Sequence, residues 1–300
     1  MATLGMARRF AWQARPMAST IETLIDDLTF GEGPRWRADQ QRLWFSDFHD
    51  HQVKSASLAG DVRIEVELDD RPSGLGWLPD DRLLVVAMTS RQVLRLEPDG
   101  SLVTHADLSE VATWHANDMV VAADGTAYVG NFGFDLDGGA EPVSTSLAMV
   151  TPDGSVSVAA DDLRFPNGMV ITPDTKTLMV GESFGQGYTA FTIMSDGTLT
   201  ARRQWAHLPG RAPDGCCLDA DGNIWMADPL SGNVVLVAEG GEEISEIDID
   251  GTAIAVMLGG PDRRHLFVII GRLDQPEVLK ADRPGRIDVC EVVVAGAGRP

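Results

Sequence analysis

Six residues of this 300-residue chain occur once per repeat, each seven positions ahead of a turn: Glu32, Ser73, Asn117, Asn167, Asp214 and Ala255. Four of them carry strong oxygen donors, and none is His or Cys. Glu32, Asn167 and Asp214 are each followed by Gly, and Asn117 by Asp118. Carboxylates and amide carbonyls select hard cations, Ca²⁺ first and Mg²⁺ or Mn²⁺ next, with Zn²⁺ a further possibility, over metals that prefer imidazole or thiolate. Three protein ligands, Glu32, Asn167 and Asp214, would leave positions for water and substrate, the pattern of a catalytic rather than a structural metal. A channel with merely polar, solvated walls is the competing reading.

Donors this far apart in sequence meet only if the repeats close on themselves. The turn aspartates are Asp39, Asp80, Asp124, Asp174, Asp221 and Asp262, and after each comes a short β-rich run such as Arg42-Leu-Trp-Phe-Ser or Asn223-Ile-Trp-Met-Ala. Two-residue turns favour positive φ, which Asp, Asn and Gly tolerate. The repeats begin near residues 31, 72, 116, 166, 213 and 253. That period, with four short strands per unit, predicts an all-β fold: a six-bladed β-propeller of four antiparallel strands per blade. The fifth unit is the clearest, with strands predicted at 215–219, 223–227, 232–238 and 243–249. The sixth has three runs, 253–258, 266–270 and 286–294, and the strand it lacks is predicted at 21–28. The ring would then close by pairing its N- and C-terminal strands, which removes two sheet edges. No stretch holds a helical period long enough to predict a helix.

Residues 17–300 thus read as one propeller domain. Residues 1–16 carry Arg8, Arg9 and Arg15, no acid and no continuous apolar core. They read as a disordered leader, with Met17 as an alternative start. Forty-five acidic against 24 basic residues give a formal charge of −21, which argues against nucleic acid and anionic membranes as partners. No apolar run approaches the roughly 18 residues of a membrane span. A small molecule is the expected partner, with oligomeric state open. The three cysteines, Cys216, Cys217 and Cys290, read as reduced strand residues of a cytoplasmic protein.

Two longer connections, 132–142 and 183–188, both follow a second strand, so both should emerge at the end of the ring that bears the donors. The stretches Phe30-Gly-Glu-Gly-Pro-Arg-Trp36, Ala116-Asn-Asp118, Phe165-Pro-Asn-Gly168, Pro213-Asp-Gly215 and Gly296-Ala-Gly-Arg-Pro300 together make the chain resemble one family over nearly its whole length. It is the senescence-marker-protein (regucalcin), gluconolactonase and luciferin-regenerating enzyme family of six-bladed propellers. The resemblance implies one divalent cation held by Glu32, Asn167 and Asp214, with Asn117 contacting substrate or water on the cation, and hydrolysis of a lactone.

On that reading Asp214 serves as general base and Asp118 orients Asn117. Family members that take sugar lactones often carry Arg two residues before this Asn, where His115 stands here. Around His115 the loops add Phe48, Phe132, Phe134, Phe184 and Tyr188. Such walls suit an aromatic or alkyl lactone or ester better than a sugar. The alternatives are a propeller lyase, synthase or phosphotriesterase using the same metal site, or a binding scaffold without catalysis.

Overall fold

The computed structural model describes residues 20–300, so the predicted leader at 1–16 lies outside the described residues. Six antiparallel sheets stand around a central channel. Their inner strands are Gly31–Arg37, Pro72–Trp77, Ala116–Val121, Pro166–Ile171, Cys216–Asp219 and Thr252–Gly259, which define blades one to six. Inner strands lie between neighbouring blades and are buried on both faces, hence their near-continuous apolar or small residues. Outer strands face water on one side. Val62–Glu67 and Glu243–Ile247 place charged residues between apolar ones, which discourages pairing at those edges.

The repeat geometry follows from the turn residues. At the inner hairpins the positive φ falls on Gln41, Asp81, Gly125, Thr175, Gly222 and Arg263, five of them directly after the repeated Asp. That Asp holds the turn from below: Asp124 Oδ1 accepts the Thr126 amide at 2.9 Å, and Asp174 Oδ1 the Lys176 amide at 3.1 Å. In blade five the same bonds go instead to Asp219, which accepts the amides of Asp221 and Asn223.

Blade six is closed as the sequence predicts. Its order is Thr252–Gly259, His265–Gly271, Gly285–Glu291 and finally Glu22–Leu28 from the other end of the chain. The closing strand pairs Glu22 with Val289 and Leu28 with Gly285, and Thr23 Oγ1 donates to Asp288 at 2.8 Å. Its apolar side, Ile25 and Leu28, enters the core beside Ile269 and Ile287.

Two elements depart from expectation. Pro276–Asp282 is a helix of seven residues, too short to show a period, started by a proline in its first turn and ended by Arg283 in the left-handed region. Arg283 then ties it to Asp27 and Asp50 at 2.7 and 2.9 Å. Blade five also gains a fifth strand, Gly296–Ala297, laid along Leu218 and Asp219 inside the channel. Beyond it Arg299 exchanges backbone hydrogen bonds with Ile171 of blade four. Among the described residues no helix is long and apolar enough to cross a membrane.

Candidate active site

The donor positions all fall at the same end of their inner strands, where the chain enters the channel. A β-bulge lies at this point in blades one to four, between Glu32 and Arg35, Pro72 and Leu75, Ala116 and Met119, and Pro166 and Met169. An extra residue there twists the strand and re-aims its side chain, which is how an inner strand can turn a polar group into the channel. The glycine after each donor answers a different demand. A Cβ on Gly33, whose φ is +56°, would lie 2.6 Å from the Ser73 carbonyl oxygen, and one on Gly168 2.3 Å from that of Asp214. The next inner strand passes where that side chain would be. In blade three the following residue is Asp118, whose side chain meets Arg35 of blade one instead.

The four sequence-predicted donors converge electrostatically. Glu32, Asn117 and Asn167 are buried, and Asp214 keeps partial access to the channel. Withdrawal from water raises the Glu32 carboxyl well above its ordinary value, and the charges of Asp214 and Asp118 push it further. Asp214 is pushed up to about 8, by desolvation first and by Asp118 next, while hydrogen bonds with Asn167 and the Gly215 amide pull the other way. Both carboxyls are thus held up first by burial and then by neighbouring negative charge, which Arg35 offsets only in part at Glu32.

The two asparagines are fixed with their oxygens free. Asn167 Nδ2 donates to Ser183 Oγ at 3.1 Å, and Ser183 in turn donates to the Pro213 carbonyl at 2.7 Å. Asn117 Nδ2 donates to the Pro166 carbonyl at 3.1 Å, and its Oδ1 is buried with no partner. Orphaned buried acceptors are rare because they cost roughly 1–3 kcal/mol, so this one points to a group that supplies the missing donor or charge. Ser183 escaped the sequence reading, for nothing in its spacing distinguishes it from other loop residues.

Below the donors one cation is already committed. Arg35 crosses from blade one and donates to Asp118 Oδ1 at 2.6 Å, to the Met119 and Leu75 carbonyls at 2.5 and 3.0 Å, and to the Pro34 carbonyl at 2.8 Å. Asp118 accepts from Arg35 and from the Met119 amide rather than from Asn117, so it does not orient Asn117 as expected. Asp118 is thus charge-balanced. Glu32 and Asp214 remain, two carboxylates flanked by two amide oxygens, and a hard divalent cation would neutralise that set. No group of three His, Cys, Asp or Glu that could hold a metal occurs among the described residues, which leaves the amide oxygens as necessary members of any such site.

Above the donors lies an aromatic shelf. Phe165 stacks on Phe132 at 4.5 Å and meets Phe134 and Phe184 at 6.1 and 5.6 Å. His115 lies between Trp114 and Phe132, at 5.2 and 5.9 Å. Sequence reasoning named Phe132, Phe134, Phe184 and His115 but missed Phe165, which joins them. Phe165 also holds a φ of +57°, costly for a bulky residue and sustained only where surrounding contacts fix it. Its register, two residues before Asn167 as His115 is two before Asn117, was the available signal. Two expected wall residues are not part of this shelf. Tyr188 is on the strand Gly187–Ile193, packed against Trp205 in the blade core, because the connection before it is a tight turn rather than a long loop. Phe48 pairs with Phe30 at 5.1 Å, apart from the shelf.

Cys216, Cys217 and Cys290 are free and buried. Burial pushes the Cys216 thiol up to about 12, far from nucleophilic use.

Comparison with known proteins agrees with this architecture. The model of the family described as the SMP-30/Gluconolactonase/LRE-like region matches residues 30–272. A pentonolactonase of Haloferax volcanii is 26% identical over 297 residues, 94% of this chain and 97% of its own. A solved gluconolactonase from Xanthomonas campestris, 26% identical, superposes with a TM-score of 0.75 over 95% of this chain and 94% of its own. A solved luciferin-regenerating enzyme, 21% identical, shares the fold with a TM-score of 0.79 over 93% of this chain and 98% of its own.

Proposed function

This chain belongs to the SMP-30/gluconolactonase/LRE-like family, and we propose that it is a metal-dependent hydrolase that opens a lactone or a related ester. The observation that carries the reading is the pair of raised carboxyls, Glu32 and Asp214, with Asn167 hydrogen-bonded to Asp214 and the nearest guanidinium, Arg35, ion-paired to Asp118. The names of the pentonolactonase and gluconolactonase relatives support the same reaction class.

Glu32, Asn167 and Asp214 would hold one divalent cation, Ca²⁺ before Mg²⁺ or Mn²⁺. When bound, such an ion polarises a carbonyl oxygen and acidifies water, worth several kcal/mol of charge stabilisation. Asp214 takes the proton of the attacking water as its oxygen bonds to the carbonyl carbon. The ring C–O bond then breaks, the departing oxygen takes that proton back from Asp214, and a hydroxy acid results. Asn117, with its Oδ1 free, positions the water or a substrate hydroxyl. Phe132, Phe134, Phe165 and Phe184, with His115 at their edge, hold an apolar flank of the substrate and keep water from it.

The test is a pH-stat assay of aromatic, alkyl and sugar lactones on chelator-stripped protein, with each cation added back. Cation-dependent opening of an aryl or alkyl lactone is expected. Full activity without metal, or activity on organophosphates alone, would replace this reading.

A further inference from the structure

The register that places His115 and Phe165 defines a second circle of residues, two positions ahead of each donor: Phe30, Arg71, His115, Phe165, Ala212 and Ala253. These sit where each blade enters the channel mouth. One of the six is charged. Resting on the lactone-hydrolase reading above, we propose that Arg71 is a specificity residue that grips a carboxylate on the substrate, while the phenylalanine shelf holds the apolar part of the same molecule.

Arg71 differs from the arginines that brace the blades. Arg35, Arg42, Arg211 and Arg283 each spend their guanidinium on several acceptors. Among the described residues the Arg71 guanidinium makes no hydrogen bond, and its one ion pair is a loose 3.6 Å approach to Asp137. Asp137 is well exposed and belongs to the 132–142 connection, so water competes for that pair and an incoming ligand can displace it. The Arg71 side chain is nonetheless largely covered, 27% exposed. Its backbone is fixed, with the amide donating to Asp70 Oδ1 at 2.7 Å and the carbonyl accepting from Met88 at 3.0 Å. A half-desolvated guanidinium on a firm base, with its fork unfilled, matches a planar carboxylate in two parallel bonds.

Its neighbours point the same way. Arg71 leads into the inner strand of blade two, between blade one with His49 and blade three with His115. Both imidazoles are depressed by burial first and by Arg71 next, His49 to about 4. Neither shares the cationic role, and the Arg71 guanidinium reaches Asp137 of the 132–142 connection, which also carries Phe132 and Phe134 of the shelf. The class of substrate implied is an aryl- or alkyl-substituted lactone bearing a free carboxylate.

The experiment compares a phenyl-substituted γ-butyrolactone carrying a ring carboxylate with its neutral N-methylamide, on wild type, Arg71→Gln and Arg71→Lys. A phenyl-substituted tetrahydrofuran carboxylate, which cannot be opened, is titrated by calorimetry in parallel. Arg71→Gln should raise KM for the carboxylate about 10- to 100-fold, the range of a lost charge-assisted pair of hydrogen bonds, with kcat little changed. Arg71→Lys should fall between, and the amide should be indifferent to both substitutions. Affinity for the tetrahydrofuran carboxylate should drop by the same factor. Equal effects on acid and amide, or calorimetric binding independent of Arg71, would overturn the anchor. Arg71-dependent binding by a protein that opens neither lactone would sustain the anchor and refute the hydrolase reading.

Discussion

Arg35→Met is the substitution whose cost the structure lets one work out. It keeps most of the aliphatic stem and removes a guanidinium that is 6% exposed and bound to Asp118 and three carbonyls. Removing one partner of a buried ion pair leaves the other charge desolvated and unpaired, at a cost of about 3–5 kcal/mol. That is a large part of the 5–15 kcal/mol that typically separates folded from unfolded protein. At about 2–4 °C per kcal/mol for a chain of this size, the melting temperature should fall by roughly 6–20 °C in chelator. Asp118→Asn in the same chain should recover at least half the loss, because the stranded charge is gone. Ca²⁺ should raise the melting temperature of Arg35→Met by more than that of wild type, since Asp118 then adds a third uncompensated carboxylate to the site. Calorimetric melting of wild type, Arg35→Met and the double variant, with chelator and with Ca²⁺, measures all of this. A loss below about 1 kcal/mol, or no recovery with Asp118→Asn, would refute the charge balance assigned to the channel.

Asp214→Asn keeps size and an oxygen donor but loses the base and a charge, so kcat should fall at least about 10²-fold, the lower end for a positioned general base, and Ca²⁺ affinity should weaken in calorimetry. Asn117→Ala should instead leave Ca²⁺ binding intact and act through kcat/KM; equal metal loss in both variants would make Asn117 a ligand. Chelation should abolish turnover and Ca²⁺ or Mn²⁺ restore it, as read by the pH-stat. Deleting the chain through Leu28 removes the closing strand with Ile25 and Leu28 and should lower the melting temperature markedly, whereas an unchanged transition would mean that blade six stands without it.

How much of this was legible in the sequence depends on what each feature needs. The blades were legible because the turn aspartate and the strand after it repeat, and the donors were legible because they repeat with them. The closing strand could be placed because the sixth unit was visibly short. The helix Pro276–Asp282 was not, since seven residues cannot show an amphipathic period. Nor was the strand Gly296–Ala297, whose two residues carry no alternation and owe their place to Leu218 and Asp219. Tyr188 was misplaced because an interruption of the repeat spacing was read as a long loop, and Asp118 because adjacency in sequence says nothing of which strand lies opposite. Arg71 and Phe165 were within reach, had the register been followed two residues outward in every blade.

The strand that closes the ring also sets a schedule. Glu22–Leu28 is made first and its partner Gly285–Glu291 nearly last, with Thr23 bonded to a residue 265 positions away. At ribosomal rates of about 5–20 residues per second, the first strand waits roughly 13 to 50 seconds for its partner. Through that interval Ile25 and Leu28 have no sheet to enter, and the blades already made form an open arc with bare flanks. The newborn chain is therefore most exposed to misassociation during synthesis, and a ribosome that pauses late in the message prolongs that exposure.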